Sequence, residues 1–109
     1  MIIDGNWDTR EVRVNGKRLS PRKSQKIWNH SPDGFNWGYG GSGPAQLALA
    51  LLLLVTDQNI AVRLHQDFKW EFVAKFPQSD FKTEIELAGW VADAVKQKGL
   101  EIGEASNAK

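Results

Sequence analysis

The chain has 109 residues, 41% of them apolar and 25% charged, with a formal net charge of +1. That length bounds it to one domain, 1–109, with a true hydrophobic core, and the composition excludes intrinsic disorder and fibrous repeats. Cysteine is absent, which removes disulfides, thiolate metal sites and cysteine nucleophiles together and fits a reducing compartment.

The opening MIIDGNWDTREV has neither the basic start nor the apolar stretch of a secretory signal. Residues 1–9 read as an N-terminal extension. From Glu11 to Val14 polar and apolar residues alternate, and Asn15-Gly16 then separates them from Lys17-Arg18-Leu19. Asn-Gly between such segments predicts a β-hairpin, because both turn positions need positive φ. Ser24 to Trp28 is compatible with a third strand or, after Pro21, with a short helical turn.

Asn29 to Pro44 reads as one long ordered loop in which Phe35, Trp37 and Tyr39 are interspersed with glycines. A flexible linker lacks such aromatics, and long loops in small domains are usually functional or tightly packed. A helix over about 44–55 follows, with leucine on nearly every face, so protein should surround it. This apolar segment is far shorter than the roughly 20 residues of a membrane span. A core helix, no membrane and a cytoplasmic location are expected.

Thr56-Asp57 caps a second helix over 58–75, whose apolar stripe is Ala61, Leu64, Phe68, Phe72 and Phe76. A third helix is expected from Thr83, with Thr83 and Glu86 as a capping box and Gly99 as its C-terminal stop. Gly89 inside that helix suggests close packing against the first helix. Residues 100–109 read as a frayed tail. The expected fold class is α+β: an N-terminal hairpin or small antiparallel sheet packed on three helices, the apolar one central.

Three groups of residues are candidates for function. The turn from Trp37 to Pro44 enters a helix, where backbone N–H groups and the helix dipole favour anions. Trp37, Tyr39, Gly40, Gly41, Ser42 and Gly43 are therefore candidate contacts for a phosphate, nucleotide or carboxylate. The turn lacks the Gly-Lys-Ser/Thr of a P-loop, and packing of the helix entry explains its glycines equally well. His30 with Ser31 or Ser42 offers a nucleophile and a base, but Pro44 stands where a nucleophile elbow needs glycine. His30 is more simply a loop-fixing side chain, and His65 reads as a lone imidazole. Arg13, Lys17, Arg18, Arg22, Lys23 and Lys26 form a basic N-terminal group suited to phosphates, with Trp7 or Trp28 available for stacking. Two histidines with scattered acids do not make a metal set, so neither metal nor cofactor is expected.

The stretch HSPDGFNWGYGGSGPAQLALALL resembles the signature of a small uncharacterised family found in bacteria, archaea and their viruses and plasmids. His30 to Ala48 match its pattern, and the basic hairpin and Gln66–Trp70 are also similar. The resemblance implies a domain of unknown function and, through its association with mobile elements, a role in phage or plasmid biology. It assigns no catalytic residue. A non-enzymatic binding module for a protein or nucleic-acid partner is the leading expectation. A small-ligand site at the glycine-rich turn is the alternative, and a hydrolase using His30 the second. Oligomeric state is left open.

Overall fold

The computed structural model describes residues 1–100 of the chain. Apart from Leu100, the tail expected to fray lies outside the described residues. The fold is α+β; among the described residues it has a four-stranded antiparallel sheet and four helices.

The Asn15-Gly16 turn forms as its sequence requires, with φ of 51° and 83° at the two positions. It joins β2 (Val12–Val14) to β3 (Lys17–Arg18). The sheet is wider than a hairpin. Residues Ile2–Gly5, read as part of an extension, form β1, and Phe81–Glu84 forms β4, giving the order β3-β2-β1-β4. Ile3 pairs with Val14 on one side and Thr83 on the other, and its side chain is buried. The start of the chain is thus an inner strand. Trp7 is held too: its indole lies edge-on to Trp37, and the Arg10 guanidinium stacks 3.5 Å from its ring centroid.

Pro21 is followed by a short helix, α1 (Arg22–Ile27), so the region considered for a third strand is helical. The apolar helix α2 (Ser42–Leu52) is buried along its whole length from Gly43 onward and packs most extensively against α3 (Gln58–Glu71). Asp57 caps α3 as expected, accepting a 2.9 Å bond from the Ile60 N–H. The expected run to Lys75 breaks at Phe72, and Val73–Lys75 is a 3-10 turn.

The helix expected from Thr83 starts instead at Leu87, as α4 (Leu87–Lys98). Thr83 is a strand residue, because β1 presents a free edge that the alternating Phe81–Glu84 segment completes. Gly99 ends α4 at φ 67°, with the Leu100 N–H donating to the Val95 carbonyl. Gly89 is exposed, and a Cβ there would meet only Glu86 at 3.9 Å. Close helix packing therefore does not explain it.

Among the described residues no helix is long and apolar enough to cross a membrane.

Candidate functional site

Gln46 is the one polar side chain on the core-facing length of α2, and it organises the loop above it. It is fully buried. Its Oε1 accepts from the Ser31 N–H at 2.9 Å, and its Nε2 donates to Ser24 Oγ at 2.9 Å and to the Trp28 carbonyl at 3.1 Å. One amide thereby ties α1 and the start of the long loop to the central helix. A buried amide with all these partners is a rigid anchor, since losing any of them leaves a desolvated group unpaired.

That anchoring brings His30 over α3. His30 Nε2 lies 2.9 Å from His65 Nε2, so His65 is paired and not lone. The proton positions follow from the second contact of His65: its Nδ1 is 2.7 Å from the Val62 carbonyl, which only an N–H can satisfy. In the neutral pair, His65 Nε2 is then the acceptor and His30 Nε2–H the donor. Trp28 stacks on His30 at 4.4 Å between centroids and 21° between planes, and meets His65 edge-on.

Lys69 lies one helical turn after His65 on α3, about 6 Å along the axis. Its side chain is buried, with only 6% of its surface exposed, and Nζ donates to the Gly40 carbonyl at 3.2 Å. The same Nζ is 4.3 Å from the centroid of the Trp70 ring. No carboxylate lies within ion-pair distance of Lys69 among the described residues. Both imidazoles titrate below the ordinary histidine range. For His30, burial is the main cause, followed by the charges of His65 and Lys69. For His65, burial again leads; hydrogen bonds to the Val62 and Ala61 carbonyls oppose it, and Lys69 reinforces it.

The glycine-rich turn closes the face. Trp70 lies where a Cβ on Gly40 would be, Tyr39 covers Gly41, and Gly43 abuts Asn36. Only glycine at position 40 lets the Trp70 ring approach the backbone whose carbonyl Lys69 holds. Trp37 is fully buried, its indole donating to the Ser79 carbonyl at 3.1 Å, so it supports the turn from the core and presents no surface to a ligand. Gly43 is buried as well. Ser42 is exposed at the first position of α2. Neither serine hydroxyl is hydrogen-bonded to His30, whose Nε2 is engaged by His65. The candidate relay is not assembled.

These contacts leave two exposed aromatic groups, Trp28 stacked on His30, and Tyr39 and Trp70 against Gly41 and Gly40, with the largely buried Lys69 between Trp70 and the Gly40 carbonyl. Trp28, Tyr39 and Trp70 are 48%, 43% and 58% exposed, three of the five most exposed large apolar residues described. The basic group divides in two. Arg13 and Arg18 face each other across β2 and β3 and share Glu11, at 3.6 and 3.0 Å. Arg22, Lys23 and Lys26 belong to α1 and not to the hairpin, and are exposed there without an ion pair among the described residues. With Trp90, Trp70 also borders an open groove of about 710 Å³ between α3 and α4, whose charged lining is mixed: Asp67, Glu71 and Asp93 with Lys75 and Lys98, the last paired with Asp67 at 2.9 Å.

The pairing of His65 and Lys69 with the loop was hidden in the sequence because both fall beside, not on, the apolar stripe of α3. Their four-residue spacing next to Leu64 and Phe68 is the signal that marks a wider buried arc.

No curated protein and no solved structure matches the chain. The model of a family of unknown function, DUF6166, matches residues 4–93, and the chain belongs to that family.

Proposed function

We propose that the chain is a non-enzymatic binding module that takes an anionic partner on the face formed by Trp28, His30, Tyr39, Lys69 and Trp70. The observation that carries this is Lys69. Among the described residues the largely buried Lys69 has no carboxylate within ion-pair distance, and its ammonium has one backbone carbonyl and the face of Trp70 as neighbours. An anion at this surface would supply the missing charge. The exposed aromatics around it supply flat apolar contact area of the kind that dominates recognition surfaces. The glycine-rich turn belongs to the same face, because the Gly40 carbonyl orients the Lys69 ammonium; the candidate ligand contacts Tyr39 and Gly40 are thus part of this one surface.

The test is a titration with tripolyphosphate at low salt, read by the fluorescence of Trp28 and Trp70. The wild-type protein is expected to bind, more weakly as salt is added. Lys69→Met keeps most of the apolar stem and removes the charge, and should weaken binding at least tenfold. Equal binding by Lys69→Met, or none by the wild type, would overturn the proposal.

A further inference from the structure

We infer that the anionic partner is a single-stranded nucleic acid, its bases stacking on Trp28 and Trp70 and its backbone following α1. The inference rests on the anion-binding face just described and adds two observations to it.

The first is the approach to the face. Between Val12 and Pro32 the sequence has six cations, Arg13, Lys17, Arg18, Arg22, Lys23 and Lys26, and no acid. Ser24 points inward to Gln46, which turns Arg22 and Lys26, one helical turn apart, to the outer side of α1. The helix then delivers the chain directly into Trp28. A polyanion lying along α1 would meet the exposed Arg22, Lys23 and Lys26 on the segment that ends at the exposed Trp28.

The second is the disposition of the rings. Trp28 uses one face to stack on His30 and remains 48% exposed, and Trp70 is 58% exposed beside Lys69. Exposed planar rings with cations nearby fit a chain of planar bases joined by phosphates. An acidic peptide would answer the cations but leave the rings without planar partners. A duplex would answer the cations as well, yet its bases are already stacked on one another and closed to Trp28 and Trp70.

The experiment measures binding of fluorescent single-stranded oligonucleotides of about ten residues, beside the matching duplex and an oligoglutamate of equal charge. Single strands are expected to bind at least tenfold more tightly than either. Trp28→Ala and Trp70→Ala should each weaken binding about 5- to 160-fold, the range for loss of one stacked base. Trp28→Phe should recover most of the loss at that position, which separates stacking from misfolding. Arg22→Gln with Lys26→Gln should make the dependence of log K on log salt shallower by about 1.4, from about 0.7 per phosphate contact. Equal binding of the duplex or oligoglutamate overturns the inference, as does an unchanged affinity in both Trp→Ala variants. Tripolyphosphate binding through Lys69 without oligonucleotide binding would overturn this inference alone; absence of both would overturn the anion-binding face as well.

Discussion

His30 and His65 stand 35 residues apart in sequence and meet in space through a single Nε2···Nε2 contact. Because both titrate low when folded, the native state holds fewer protons than the unfolded chain below the ordinary histidine pKa of about 6.5. Their contribution to stability is therefore complete above that value and is lost as pH falls from it toward their depressed folded values. Urea unfolding between pH 7.5 and 5 should show this decline, and a His30→Gln, His65→Gln double variant should flatten that part of the profile. Gln46 makes a separate prediction. Gln46→Leu leaves the Ser31 N–H without its partner, while the Trp28 carbonyl keeps the His30 N–H at 3.1 Å. It should destabilise by about 1–3 kcal/mol in denaturant titration and loosen Trp28 and His30 from α2. The sequence marks Gln46 only as an interruption in an apolar run. Its role depends on which groups the loop brings above it, and no local pattern encodes that.

At the level of elements, several local signals agree with the structure. The Asn15-Gly16 turn, the all-round burial of α2, the Asp57 cap and the Gly99 stop each depend on a few adjacent residues. The two strands that were missed, β1 and β4, are four residues each and hold their shape through pairing with each other. Thr83 and Glu86 look like a capping box in isolation, and sheet completion outweighs that local preference. Gly89 is the opposite case, a local cost with no packing reason. It is helical, exposed and clear of neighbours, so Gly89→Ala should stabilise by up to about 1 kcal/mol, visible as a raised midpoint in thermal melts. A destabilised variant would reveal a contact at α4 not explained by its helical role.

Across the whole molecule the charges are unevenly spread. The basic group lies on β2, β3 and α1, while the groove between α3 and α4 is mixed, with Asp67, Glu71 and Asp93 beside Lys75 and Lys98. Lys69 and the two imidazoles face the side of α3 that receives the loop, with the exposed rings around them. The net charge of +1 conceals this uneven spread, which becomes visible only when α3 and the loop are placed together. Amide chemical-shift mapping with a single-stranded oligonucleotide tests it most directly. Perturbations confined to α1, His30, Tyr39–Gly41 and Lys69–Trp70 are the predicted result; perturbations centred on Asp93 and Trp90 in the groove between α3 and α4, or none at millimolar oligonucleotide, would contradict it.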